Sequence, residues 1–329
     1  VVVLDVKTGG VRAMVNLPKD SNGNLGEIYN LAIGRSGEPG SVFKTATLMT
    51  LLEEGKTTLS TVMPTNGGKM ADFPRLSACE ETRRYERNTG KKVITVEDGL
   101  KVSSNYVFRR LVADNYLDCP DDFIDKLYEY NLHDAYAFDV TEVAESKPEL
   151  PEPDPKMGKY DLVSAAIGYN VKETPLNIVT FYNAIANDGT MVKPLFTEKF
   201  LKDGKVYRTT EVEVVNPQIA SPNTIRQMQG ILEGVVKKGT AKNMQSPLFT
   251  SAGKTGTSQI FEGGTKKNKE GKTRLQVTFC GYFPADKPVY SCIVYARDPK
   301  QGGTGSICGE VYKQVAEKAY ILHTHQQDS

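Results

Sequence analysis

The order of strand-like and helix-like segments limits the folds open to this chain more than any other feature of its sequence. Residues 1–16 form two β-branched runs around a Lys-Thr-Gly-Gly turn, a pattern that predicts a hairpin. Three more strand-like runs, TSAGKTGTSQI, RLQVTFCGYFP and VYSCIVYARDP, fall in the last third. Helical spacing fills the middle, and GEVYKQVAEKAYIL predicts a closing helix. A first hairpin that pairs with the last strands would give one antiparallel sheet with helices on both faces, an α/β fold of the α+β kind.

The chain is interpreted as one domain over residues 1–329 with an insertion at 134–160, where the sequence is rich in proline and acidic side chains. The connection FEGGTKKNKEGKT between the strand-like runs is basic and predicts a hairpin tip. No internal repeat is found. The chain opens on VVVLDV without an initiator Met, which we interpret as a fragment whose targeting or anchoring segment is not included.

Composition excludes some classes of function. The apolar content of 39% and charged content of 25% fit a folded protein with a sizeable core. A formal net charge of +1 gives no basic field for nucleic acid. No run of about 18 apolar residues is present, so no segment of this sequence is predicted to span a bilayer.

The segment SGEPGSVFKTATLMTLLEEGK holds the first candidate site. Apolar or small residues lie nearly all round Val42 to Glu54, which predicts a buried helix. Ser41 stands at its start and Lys44 lies one turn further on. In one interpretation Ser41 is a helix cap and Lys44 a solvated surface residue, a common arrangement. In the other, burial lowers the pKa of Lys44 from about 10.4 toward 7, and the amine acts as a general base for a nucleophilic serine.

The run SAGKTGTSQ predicts a strand that carries the second candidate site. Lys254 could supply a cation next to the serine–lysine pair, and alternation along a strand directs Thr255 and Thr257 to the same side. Gly256 has no side chain, which predicts close approach of a substrate backbone. A lysine and two hydroxyls beside an open strand suit a peptide that ends in a carboxylate and binds by strand addition. The alternative is a glycine-rich turn.

Each short motif has a second copy, so context must separate the working copy from the other. S-x-x-K also matches Ser251 to Lys254, and K-T-G also matches Lys7 to Gly9. The Gly-Lys-Thr tripeptides would further suit a nucleotide P-loop, which needs a glycine five residues before the tripeptide. Those three positions hold Leu248, Thr50 and Lys266, so a P-loop is excluded.

A third candidate, Ser103-Ser104-Asn105, lies within a helical segment as a loop-like interruption. From such a loop Ser103 and Asn105 could face one cleft, although S-x-N is a common tripeptide. The histidines His133, His323 and His325 lie beside an irregular region or in a polar tail, so none is a good base for a Ser-His-Asp triad. A lysine-based hydrolase or acyltransferase fits these side chains best.

The five cysteines predict neither a zinc site nor a disulfide framework, because their number is odd and they form no C-x-x-C pair. Buried free thiols are expected. Cys280 and Cys292 lie on neighbouring predicted strands and could pair, an alternative that spacing alone leaves open. No metal or cofactor is predicted.

The three motifs occur in the order S-x-x-K, S-x-N and K-T-G, on a helix start, a loop and a strand. This order resembles that of the penicillin-binding proteins and serine β-lactamases. The segments EPGSVFKTAT, VSSN, TPLNIVTFYNAIANDGTMVKP, AGKTGTSQ and FCGYFPADKP are similar to class B penicillin-binding proteins in particular. EPGS together with SSN is more similar to the division-type branch, that of the septal transpeptidase.

The resemblance implies roles for the motif residues. It makes Ser41 the acylated nucleophile and Lys44 its base. Ser103 would pass the proton toward the leaving amine, and Asn105 would hold the substrate amide.

The same resemblance assigns Lys254 to the electrostatic support of Ser103. Thr255, Gly256 and Thr257 would bind the carboxylate end of the substrate. The backbone N–H groups of Ser41 and Thr257 would form the oxyanion hole.

The implied reaction is attack on a D-Ala-D-Ala stem peptide, release of D-Ala, and transfer of the acyl group to a neighbouring stem amine, which cross-links peptidoglycan. β-Lactams would acylate the same serine. Such proteins carry an N-terminal pedestal domain and a membrane anchor, both missing from this sequence. The active site is expected on the periplasmic, extracytoplasmic face, with proteins of the division or elongation complex as partners and without a cofactor or nucleic acid.

Two alternatives stay open. A β-lactam-sensing or scaffolding domain would acylate without turnover, and a D,D-carboxypeptidase or β-lactamase relative would pass the acyl group to water. The sequence shows no clear loop glutamate to activate such a water, which favours a slow acyl-enzyme.

Overall fold

The computed structural model describes residues 1–136, 145–260, 271, 273–299 and 304–327. Most of the predicted hairpin tip FEGGTKKNKEGKT, including Lys266, and residues 137–144 of the predicted insertion lie outside this part of the chain.

The helices and strands are numbered in chain order. The strands are β1 Val2–Asp5, β2 Val11–Met14, β3 Val62–Pro64, β4 Val93–Thr95, β5 Met191–Val192, β6 Lys199–Lys202, β7 Lys205–Thr209, β8 Val214–Asn216, β9 Ala252–Gln259, β10 Leu275–Phe283 and β11 Tyr290–Arg297. The α-helices are α1 Leu31–Gly34, α2 Lys44–Glu53, α3 Glu80–Thr89, α4 Val96–Lys101, α5 Asn105–Tyr116, α6 Pro120–Glu129, α7 Lys159–Ala165, α8 Pro175–Ala186, α9 Pro222–Lys238 and α10 Thr304–Gln327. Single 3₁₀ turns cover Gly40–Val42, Asn66–Gly68 and Lys242–Met244.

A five-stranded antiparallel sheet forms the centre, in the order β2-β1-β11-β10-β9. The first hairpin therefore pairs with the last strands, which confirms the prediction. Gln276 to Phe283 are buried without a break along β10, which requires both faces of the sheet to be covered. Helix α8 packs on β1, β10 and β11, and α10 packs on β9, β10 and β11. The α/β fold of the α+β kind is confirmed.

The helices that carry the site lie in the core because they are apolar nearly all round. Every residue of α8 is buried, and α2 is buried from Lys44 to Leu52. Pro175 and Pro222 occupy the first turns of α8 and α9, as their sequences predict. The predicted start of α2 needs a small correction, because a 3₁₀ turn over Gly40–Val42 precedes it.

Two segments for which no helix or strand was predicted, residues 62–92 and the polar tail, contain regular structure. Residues 62–92 contain β3 and the ten-residue helix α3, which buries only Thr82 and Tyr85 and so shows no apolar period. The polar tail is also helical, because α10 continues through His323 and His325 to Gln327. Within the described residues, no helix combines the length and apolar character that crossing a membrane requires.

The cysteines are free, and the Cys280–Cys292 pair is not formed. Cys280 faces Ile293 and Cys292 faces Gly281 in the β10–β11 register, which staggers the two thiols. Both are fully buried. The expectation of buried free thiols holds for all but Cys119, which is only partly buried.

Candidate active site

Ser41 lies in the 3₁₀ turn that leads into α2, and its hydroxyl does not cap the helix. The turn is possible because Gly40 adopts a φ of +60°. A Cβ on Gly40 would lie 2.7 Å from the carbonyl oxygen of Thr257 on β9. Glycine therefore allows the turn to press against β9, which sets Ser41 beside that strand.

Lys44, the first residue of α2, is fully buried, so its interpretation as a solvated surface lysine was wrong. Its Nζ lies 3.0 Å from Ser41 Oγ, 2.7 Å from the carbonyl oxygen of Ser103 and 3.3 Å from Ser103 Oγ. Burial lowers the pKa of the Lys44 amine to about 7; the charge of Glu81 opposes this shift. Near neutral pH a large fraction of Lys44 is therefore uncharged and can accept a proton.

Ser103 links the two lysines of the site. Lys254 Nζ donates to Ser103 Oγ at 2.8 Å and to the carbonyl oxygen of Thr255 at 2.9 Å. Ser103 has a φ of +59°, a strained conformation for serine that the contacts with both amines hold in place. Burial, followed by the charge of Lys44, keeps the pKa of Lys254 well below its ordinary value.

The three oxygen neighbours of Lys44 Nζ can be satisfied by the charged amine, which donates to all three, and also by the neutral amine. A neutral amine has two N–H donors and one lone pair, and the carbonyl and hydroxyl oxygens of Ser103 can take the two donors. The lone pair is then directed to Ser41 Oγ at 3.0 Å. Lys44 can therefore remove the Ser41 proton, and Ser103 can carry it onward.

Asn105 is the first residue of α5, and Ser104 is the N-cap whose hydroxyl accepts from the Val107 backbone N–H. Asn105 Nδ2 donates to Glu81 Oε1 on α3 at 3.3 Å. Both side chains line the same cleft as Ser41. Helix α3, which the sequence did not predict, thus forms part of the wall around the S-x-N motif.

Strand β9 is the outer strand of the sheet, and it presents Thr255 and Thr257 to the cleft. The Thr255 hydroxyl lies 2.7 Å from that of Thr240, which follows α9. Gly256 also lines the cleft, and close approach of a substrate there stays a prediction. A Cβ on Gly256 would lie 3.0 to 3.2 Å from atoms of Val42 and Pro39, so the missing side chain also admits the Ser41 turn.

Ser251 of the second S-x-x-K copy and the second K-T-G copy do not line this cleft. Ser251 is buried and its hydroxyl accepts from Tyr312 at 3.1 Å. Lys7 donates to Asn187, and Gly9 forms the turn of the first hairpin with a φ of +71°. Among the described residues, the S-x-x-K copy at 41–44 and the K-T-G copy at 254–256 are the ones that come together at the cleft.

Comparison with known proteins places the chain in a family. The family model described as the penicillin binding protein transpeptidase domain matches residues 1–317 of the sequence. The chain belongs to this transpeptidase family. The class B resemblance drawn from the motif contexts is thereby confirmed.

The relatives of this transpeptidase domain have low sequence identity to it, but they align with most of its length. Penicillin-binding protein H of Bacillus subtilis is 28% identical over 90% of this chain and 43% of its own length. Peptidoglycan D,D-transpeptidase FtsI of Buchnera aphidicola is 24% identical over the whole chain and 54% of its own length. The chain thus spans about half the length of the curated relatives it matches.

A solved structure shows the same fold. The D,D-transpeptidase domain of a peptidoglycan glycosyltransferase from Eggerthella lenta matches 98% of this chain and 77% of its own, with a TM-score of 0.79 and 21% identity. At that identity the match establishes the fold alone.

The cleft of the transpeptidase domain has a volume of about 410 Å³. All sequence-predicted site residues except the buried amines of Lys44 and Lys254 line it, and those amines lie directly behind Ser41 and Ser103. Six polar lining residues were not among the predicted site residues: Glu81, Arg84, Tyr169, Thr240, Ser258 and Gln259. The acidic first turn of α3 and its Gly90 cap could have revealed that helix, although not where it packs.

Proposed function

We propose that this chain is the catalytic domain of a peptidoglycan D,D-transpeptidase that cross-links stem peptides through an acyl-enzyme on Ser41. One observation carries the proposal. A fully buried Lys44 amine with a pKa of about 7 lies 3.0 Å from Ser41 Oγ. This lysine is buried behind a serine with its pKa lowered into the neutral range, which is the arrangement of a base and its nucleophile.

The acylation step follows from this arrangement. Lys44 Nζ takes the Ser41 proton while Oγ attacks the carbonyl between the two D-Ala residues. As the C–N bond breaks, the proton passes through Ser103 to the leaving D-Ala amine. Lys254, 2.8 Å from Ser103 Oγ, donates a hydrogen bond that supports this relay. The backbone N–H groups of Ser41 and Thr257 would hold the oxyanion, at about 3 kcal/mol per donor.

The outer strand β9 favours a peptide substrate. A stem peptide would bind along this strand, with its terminal carboxylate on Thr255 and Thr257 and with Lys254 behind them. Asn105, on the opposite wall, would hold the substrate amide. β-Lactams would enter the same cleft and acylate Ser41.

We further infer a role in septal cell-wall synthesis on the extracytoplasmic side of the membrane. The EPGS and SSN contexts and the relative named FtsI support the septal role. An N-terminal pedestal, a membrane anchor and contacts with division or elongation proteins would belong to the parent protein, because the chain spans about half of its relatives' length.

The test is intact-mass analysis after incubation with benzylpenicillin. The native chain should gain one penicillin mass, and Ser41→Ala should gain none. Ser251→Ala is the matched control, since Ser251 belongs to the second S-x-x-K copy and lies outside the cleft. Circular dichroism verifies that each variant is folded. An adduct on Ser41→Ala, or none on the folded native chain, would refute the proposal.

The lifetime of the adduct separates the alternatives. A long-lived adduct together with peptide transfer supports a transpeptidase. Rapid loss with hydrolysed drug would instead indicate a β-lactamase relative, and release of D-Ala without transfer a carboxypeptidase. A stable adduct without any turnover of a stem peptide would indicate a β-lactam-sensing or scaffolding domain.

A further inference from the structure

Glu81 is the one acidic side chain among the described residues that line the cleft. It is half-buried, and its Oε1 accepts the 3.3 Å hydrogen bond from Asn105. Within the described part of the chain, no lysine or arginine lies within ion-pair distance of it. The mechanism of acylation by Ser41, Lys44 and Ser103 leaves this carboxylate without a role.

The position of Glu81 is fixed by its neighbour in helix α3. The hydroxyl of Thr82 lies 2.6 Å from that of Ser104, and both residues are fully buried. Consecutive residues of α3 thus contact consecutive residues of the S-x-N motif, Thr82 with Ser104 and Glu81 with Asn105. The carboxylate is held against the motif that would bind the substrate amide.

The charge of Glu81 reaches the reacting groups. It raises the pKa values of both Lys44 and Lys254 against the effect of burial. A carboxylate whose charge acts on these two amines can also attract a third one that enters from solvent. The second substrate of a transpeptidase is an amine, which is protonated in water and must lose a proton before it can attack.

We propose that Glu81 is the acceptor site of the reaction, where its carboxylate binds the ammonium group of the incoming stem peptide and removes its proton. The proposal rests on the transpeptidase function proposed above. It identifies the acceptor as a cationic primary amine, which attacks from the α3 side of the cleft.

The proton balance of the transfer step is complete with the groups present. Glu81 takes one proton from the ammonium, and the free amine attacks the carbonyl carbon of the Ser41 ester. Lys44 takes a second proton from the attacking nitrogen and returns it to Ser41 Oγ as the C–O bond breaks. The products are the cross-linking amide, free Ser41 and protonated Glu81, which loses its proton to solvent.

The test measures acyl transfer to two different acceptors in three proteins: the native chain, the Glu81→Gln variant and the Glu80→Gln variant. The donor is a synthetic peptide thioester that acylates Ser41. The acceptors are a D-amino acid, whose amine is cationic, and hydroxylamine, which is uncharged at neutral pH. Gln keeps an acceptor oxygen for Asn105, and Glu80 is a matched control because it pairs with Arg87 on the same helix outside the cleft.

We expect Glu81→Gln to lower transfer to the D-amino acid by about tenfold or more, with transfer to hydroxylamine within about threefold of native. Penicillin acylation at about pH 8, where Lys44 is mostly neutral, should also stay within about threefold. Glu80→Gln should match the native chain throughout.

Two results would overturn the proposal. Equal loss with both acceptors would mean that Glu81 only positions Asn105, and unchanged transfer to the D-amino acid would mean that the carboxylate does not bind the acceptor. Failure of the transpeptidase function is distinguishable, because the native chain would then form no penicillin adduct at all.

Discussion

The rate of acylation by penicillin should depend on pH through Lys44. Only the neutral amine can take the Ser41 proton, and burial lowers its pKa to about 7. The neutral fraction rises from about one-tenth at about pH 6 to about nine-tenths at about pH 8, so the rate should rise about tenfold and then level off. With an ordinary lysine pKa the same interval would give about a hundredfold rise without a plateau.

The measurement is the second-order rate constant for acylation by a fluorescent penicillin, followed by stopped flow from about pH 5.5 to about pH 9.5. Circular dichroism at each pH verifies that the protein stays folded. Glu81→Gln provides a second observable. Because the Glu81 charge raises the pKa of Lys44, its removal should move the midpoint of the profile to lower pH.

A rate that keeps rising about tenfold per pH unit above about pH 8 would contradict this prediction, since Lys44 would then titrate as a solvated lysine. A profile that is flat across the whole range would also refute it, because no base would titrate in the rate-determining step. A midpoint that moves upward in Glu81→Gln would contradict the electrostatic contribution of that carboxylate.

Three further predictions concern stability. Lys44→Met should abolish acylation, yet its melting temperature at about pH 7 should be no lower than that of the native chain. Lowering the Lys44 pKa from 10.5 to about 7 corresponds to a free-energy cost of roughly 5 kcal/mol for burying the amine, and methionine removes this cost. A lower melting temperature would contradict this prediction. Burial holds the pKa of Glu173 well above 4.5, and neither carboxyl oxygen has a hydrogen-bond partner among the described residues. The native protein therefore loses stability as pH rises from 4.5 toward the folded pKa of Glu173. Glu173→Met should accordingly raise the midpoint of urea unfolding more at about pH 8 than at about pH 5. Equal shifts at the two pH values would be inconsistent with a buried carboxyl. Gly168→Ala should lower the free energy of unfolding in urea by about 2 kcal/mol more than Gly55→Ala does. Both glycines have a positive φ, but only at Gly168 would a Cβ meet a backbone atom, at 2.2 Å from the Gly40 carbonyl oxygen. Equal losses would mean that the turn before Ser41 can shift.

Local sequence patterns predicted the elements that carry the motifs. Apolar residues all round predicted the buried helix α2, the strand-like run SAGKTGTSQ predicted β9, and the order of strands and helices predicted the sheet. These patterns are readable because the spacing of side chains along a helix or strand is set by the local backbone. Helix α3 could not be read in this way, because only Thr82 and Tyr85 of its ten residues are buried.

The amino-acid sequence identifies the candidate residues: a serine and lysine one helical turn apart, a serine and asparagine in a loop, and a lysine with two threonines on a strand. Their meeting in one cleft is a result of the tertiary structure. Ser103 lies 59 residues from Lys44 and 151 from Lys254 along the chain, yet it contacts both amines. The pKa of Lys44 falls because segments distant in sequence exclude water from it, and burial of this kind is a property of packing rather than of spacing.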